Sequence, residues 1–86
     1  MDRTILRRQT QLLRLMRETL GYTQQEWANE LGLTYGETVG RWERGIRLIP
    51  LSRIAHIKLV LQKPRHLELL AANPAATAEL QRGGFL

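Results

Sequence analysis

Apolar positions near the start of the chain fall at the spacing of one helical face. Ile5, Leu12, Met16 and Leu20 lie along a single stripe, and Leu6 and Leu13 widen it. The spacing predicts a helix over residues 4–20, with Arg3, Arg7 and Arg14 lining another side and Gly21 as a left-handed C-terminal cap. A second helix starts at Thr23, which with Glu26 three residues later makes a capping box. Trp27, Ala28 and Leu31 form its apolar face. Gly32 supplies the positive φ of a turn after about nine residues. Thr34 and Glu37 repeat the start signal, Val39 and Trp42 face inward, and Gly45 closes this third helix.

Pro50 suits the first turn of a fourth helix over residues 51–61, where a missing N–H costs nothing. There Leu51, Ile54, Ala55, Lys58 and Leu61 share one side, while Ile57 and Val60 lie on the other. Such a helix is either buried broadly or meets a partner. Pro64 and Asn73-Pro74 read as starts of short helices near 64–72 and 74–82, and Gly83-Gly84-Phe85-Leu86 reads as a tail. No strand alternation and no internal repeat is present. The expected fold is all-α, a single-domain compact bundle of five to six short helices.

Length and composition narrow the options. The 86 residues make one small domain with a modest core. Without cysteine there is no disulfide framework, thiol chemistry or cysteine-ligated zinc. The start Met-Asp-Arg-Thr-Ile-Leu-Arg-Arg lacks the apolar run of a signal peptide, and no segment approaches the ~20 apolar residues that span a bilayer. A cytoplasmic protein with no membrane role is expected.

The net charge of +5 is unevenly spread. Residues 1–17 carry +4, residues 18–40 carry −4 and residues 41–65 carry +6, the last from Arg41, Arg44, Arg47, Arg53, Lys58, Lys63 and Arg65 against Glu43. A basic block beside an acidic one fits a polyanion-facing surface, although a solvated basic face has the same composition.

No catalytic constellation is present. His56 and His66 stand alone, without cysteines or paired carboxylates at metal spacing, and read as surface helix residues. Ser52 sits at a helix start rather than in a nucleophile motif. Gly36 and Gly40 form a Gly-x-x-x-Gly, which carries no weight without an apolar membrane span. No enzymatic activity, cofactor or metal is expected.

Two short helices, a glycine turn and an apolar residue after it form a helix-turn-helix layout. Ala28 is small where the first of the pair crosses the second, Leu33 fills the wedge between them, and Val39 pins the second to the core. The outward face of the second helix can then lie in a DNA groove. At these residues the chain resembles the Cro/lambda-repressor-type (XRE-like) helix-turn-helix family. The matching positions are Arg17, Gly21-Tyr22-Thr23-Gln24, Ala28, Leu31-Gly32-Leu33-Thr34, Val39 and Trp42-Glu43-Arg44-Gly45, followed by Pro50. The resemblance covers residues 10–62. It implies a compact helical bundle that binds DNA as a dimer, and a buried Arg17–Glu43 ion pair joining the first helix to the end of the third. The chain departs from the pattern by one added residue between Gly32 and Glu43, with Gly36 as the extra one. The turn is expected to absorb it. Gly36 and Gly40 admit two readings, close approach of the helix to DNA or a slack helix that orders on binding.

Sorted by physics, Arg41 and Arg44 are candidates for bidentate bonds to guanine, Arg44 alternatively reaching only phosphate. Glu37 suits cytosine N4, and Tyr35 and Thr38 suit thymine methyls or phosphates. Thr23, Gln24, Gly40, Arg47 and Arg53 are assigned to phosphates. The N-terminal arginines are either a DNA arm or a solvated face. The resulting expectation is a sequence-specific transcriptional regulator, a repressor binding a palindromic operator in double-stranded DNA as a homodimer. Ile57, Val60, Leu67 and Leu70 would form the dimer interface, or else complete the monomer core. The family resemblance points to phage or toxin–antitoxin operons. The competing expectation is an antitoxin that also binds a toxin partner through its C-terminal helices.

Overall fold

The computed structural model describes residues 3–86, with side chains from Arg7 onward; the expected positions of Arg3, Ile5 and Leu6 lie outside the described side chains. The described residues form six helices in order: α1 (Arg3–Leu20), α2 (Gln24–Glu30), α3 (Gly36–Glu43), α4 (Leu51–Leu61), α5 (Pro64–Ala71) and α6 (Pro74–Arg82). No strand occurs among the described residues. The fold is all-α, and no described helix is long and apolar enough to cross a membrane.

Local signals explain most of the boundaries. Thr23 Oγ1 accepts from the Glu26 amide at 3.1 Å and Glu26 Oε1 accepts from the Thr23 amide at 2.8 Å, closing the capping box at α2. Gly32, at φ +72°, lets the chain reverse after α2. The Gly32 amide then reaches the Asn29 carbonyl at 3.2 Å and the Leu33 amide the Ala28 carbonyl at 2.8 Å, so two terminal acceptors are satisfied. Pro64 and Pro74 occupy first turns, and the Asn73 side chain caps α6 by accepting from the Ala76 amide.

The core forms where α1 packs against α3, α5 and α6, and α5 also packs against α4 and α6. Leu12, Leu13, Met16 and Leu20 share one buried cluster with Trp27, Ala28, Leu31, Val39 and Trp42 and with Leu61, Leu70 and Leu80.

Four expectations are corrected. Ile57, Val60 and Leu70 are buried in this core, so they hold the monomer together and cannot line a dimer interface; Leu67 alone of that set is exposed. Correspondingly, α4 turns Leu51, Ala55, Lys58 and Leu59 to solvent. Its buried face is Ile57, Val60 and Leu61, because α5 covers that side. The C-terminal residues are no tail. Gly84 at φ +85° closes α6, and the Phe85 amide bonds to the Leu80 carbonyl at 2.9 Å, folding Phe85 back into the core beside Leu80. His66 is fully buried rather than on the surface. Its Nδ1 donates to the Val60 carbonyl (2.7 Å) and its Nε2 lies 2.8 Å from the Tyr22 hydroxyl, which donates to Glu30 at 2.7 Å.

Thr34 and Glu37 form no capping box. Gly36 is the first residue of the helix rather than part of the turn, Tyr35 stands in the capping position, and its side chain makes no cap. Glu37 thus sits too early in the first turn to reach back, and pairs instead with Arg41 one turn ahead at 3.0 Å.

Candidate nucleic-acid interface

The two faces of α3 differ sharply. Gly36, Val39, Gly40 and Trp42 are buried, whereas Tyr35, Glu37, Arg41 and Arg44 are exposed and Thr38 is half-buried. The buried glycines face α2. A Cβ on Gly36 would lie 2.8 Å from both the Cα and N of Gln25, inside any real contact distance with backbone. A Cβ on Gly40 would lie 3.1 Å from Gln24 Oε1 and from Arg44 Nη1. Both glycines therefore permit close packing of the protein on itself. This corrects the assignment of Gly40 to a phosphate, since Gln24 and the Arg44 guanidinium lie over it.

Gln24, in the first turn of α2, thus lies against α3 at Gly40, and Thr23 is exposed with its hydroxyl committed to the cap. Arg41 and Arg44, three residues apart, project on the solvent side together with Glu37. Arg47 follows in the connection to α4 and Arg53 comes from the first turns of that helix. Thr38, Arg41, Arg47 and Arg53 line a recess of about 380 Å³ whose apolar walls include Leu33, Trp42, Leu48 and Pro50. Arg53 is partly anchored, its Nη1 donating to the Leu31 carbonyl at the end of α2 (3.2 Å). Among the described residues, Arg44 and Arg47 make no ion pair. The buried Phe85 borders a recess lined by Arg8, Leu12 and Ile54 and by no residue of α3, so the C-terminal segment leaves this basic surface open.

Behind the surface, Arg17 and Glu43 form a two-pronged ion pair at 2.7 and 2.9 Å, with side chains only 13% and 5% exposed. Arg17 also donates to the Tyr22 carbonyl at 3.0 Å. The hydrogen bonds that Arg17 donates to the Glu43 carboxylate raise the Arg17 pKa above its ordinary value. The pair ties α1 to the last residue of α3 and thereby fixes the C-terminal half of that helix.

Sequence reasoning missed Gln25. Its Oε1 accepts from the Gly36 amide at 2.9 Å, and its Nε2 donates to Asn29 Oδ1 at 3.0 Å and to the Thr34 carbonyl at 3.3 Å. It also missed the buried His66–Tyr22–Glu30 chain, to which Arg65 and Lys63 add ion pairs with Glu30. A histidine one turn before the buried Leu70 was the available signal. No group of three His, Cys, Asp or Glu side chains able to hold a metal occurs among the described residues. Searched against family models, curated proteins and solved structures, the chain gives no match.

Proposed function

We propose that this chain is a sequence-specific double-stranded DNA-binding protein of the XRE-like helix-turn-helix type, acting as a transcriptional repressor. In this reading α2 crosses the phosphate backbone and α3 lies in the major groove. The observation that carries it is the outward stripe of α3. Arg41 and Arg44 stand in the open beside the half-buried Thr38 on a helix tied from behind by the Arg17–Glu43 pair, with Arg47 and Arg53 flanking them. Guanidinium groups at the stripe's centre suit guanine O6 and N7, and those at its edge suit phosphates. Glu37 pairs with Arg41 across one turn at 3.0 Å, so on binding Arg41 exchanges this exposed partner for DNA.

Repression needs no further domain, because occupying a promoter only requires tight binding. A homodimer on a palindromic operator fits this mode of action. Since Ile57, Val60 and Leu70 are interior, the exposed leucines of α4, Leu51 and Leu59 at 84% and 71% exposure, are the surface available for it. The antitoxin reading draws support from Leu67 and Leu69 on α5, exposed at 41% and 43% and free to meet a toxin.

Selection of bound sites from random duplex DNA at near-physiological salt tests the proposal. The expected product is a two-fold-symmetric consensus with half-sites about one helical turn apart. A pool that never enriches overturns it.

A further inference from the structure

We infer that Gln25 is the residue that positions α3 for sequence reading, and that Gly36 is glycine so that it can do so. The inference rests on the DNA-reading proposal and adds a determinant to it. An α-helix begins with N–H groups that have no partner within the helix, and residues at its start normally supply one. Here Tyr35, not Thr34, stands in the capping position, and its side chain makes no capping hydrogen bond. Gln25 fills the gap from the neighbouring helix. Its carboxamide straddles the turn, accepting from Gly36 at 2.9 Å and donating to Thr34 at 3.3 Å. The orientation of the amide is unambiguous, because a backbone N–H can only donate and a backbone carbonyl can only accept. The second Nε2 hydrogen goes to Asn29 Oδ1 at 3.0 Å, which holds the side chain along α2.

This cap works only if α3 starts directly on the backbone of α2. The 2.8 Å separation between a hypothetical Gly36 Cβ and the Gln25 Cα and N means that any side chain there displaces α3. The obstructing atoms are main chain and cannot swing aside. The first turn of α3 carries Tyr35, Glu37 and Thr38, so its height and rotation above α2 decide where those groups meet a base pair. Hydrogen bonds lose strength over a few tenths of an ångström and a few tens of degrees, so a displaced first turn loses base discrimination first. Phosphate contacts from Arg47 and Arg53, on separate elements, are unaffected.

The test uses the full chain with Gln25→Met, which keeps length and removes all three hydrogen bonds, and Gly36→Ala, which supplies the obstructing methyl. Affinity is measured for the duplex recovered by selection and for the unselected pool. In both variants the ratio of the two should fall about tenfold, the scale of one mismatched base pair, with pool affinity and salt slope unchanged. Helix content should be retained, alanine being the stronger helix former. Amide exchange at residue 36 gives a DNA-independent readout, slow in the wild type and accelerated in Gln25→Met. A ratio within about twofold of wild type in both variants, where a mismatch typically costs tenfold, overturns the inference. So does unchanged exchange at Gly36. A wild type without any preference sinks the DNA-reading proposal instead.

Discussion

Removing Glu43 is the sharpest probe of how α3 is held. In Glu43→Ala the Arg17 guanidinium keeps only the Tyr22 carbonyl, while its side chain is 13% exposed and its charge is poorly hydrated. Stripping one partner from such a buried pair costs about 3–5 kcal/mol. A chain of 86 residues holds about 4–13 kcal/mol in total at the usual ~0.05–0.15 per residue, so the variant retains little margin. At roughly 4–8 °C per kcal/mol for a domain of this size, the Tm should fall by on the order of 20 °C. Urea unfolding followed by fluorescence of the buried Trp27 and Trp42 measures it directly. The double variant Arg17→Met/Glu43→Leu should recover most of the loss, because the cost of the single change is an unpaired buried charge rather than a missing bond. Since Glu43 raises the Arg17 pKa, the contribution of this pair is complete below the ordinary arginine range. It is lost only as pH rises through the higher folded value, so mildly alkaline buffer should leave it intact. A Glu43→Ala cost under ~1 kcal/mol, typical of an exposed pair, would refute the reasoning. A double variant as unstable as the single one would do the same.

Three further outcomes are expected. Arg41→Ala should cost about 1–3 kcal/mol on the selected duplex and flatten preference at one base pair, whereas Arg47→Ala should weaken all sequences alike and reduce the salt slope by about one, both read by fluorescence anisotropy across salt. Ile57→Ala, at a fully buried core position, should lose about 2–5 kcal/mol in urea unfolding without changing oligomeric state by sedimentation. The Glu26 carboxylate, held by the Thr23 amide and hydroxyl, should titrate by NMR below the ordinary glutamate range. Its capping contribution is present above the unfolded pKa and lost as pH falls through the lower folded one, and a midpoint at or above the ordinary value would contradict the cap.

Features that depend on neighbours in sequence were legible before any coordinates. Thr23 with Glu26, Gly32 and Pro64 are local start and stop signals whose chemistry is complete within a few residues. Val39 and Trp42 were readable as inward-facing because α3 has only one apolar side. The α4 helix was not, since Leu51, Ile54, Ala55, Ile57, Leu59, Val60 and Leu61 surround it almost completely. Which of these are buried depends on where α5 lands. Gln25 escaped notice for a related reason, because its partner Gly36 lies eleven residues away across a helix crossing. Phe85 was readable in principle: an apolar residue after Gly84 paired with Leu80 is the signature of a closing turn that folds back on its helix.

The most direct test of the account is to titrate the isotope-labelled protein with the selected duplex and map amide and arginine side-chain shifts. The account predicts that the largest changes fall on Glu37, Thr38, Arg41 and Arg44, with smaller ones at Gln24, Arg47 and Arg53. Changes concentrated on the exposed leucines of α4 and α5, with α3 unmoved, would contradict it.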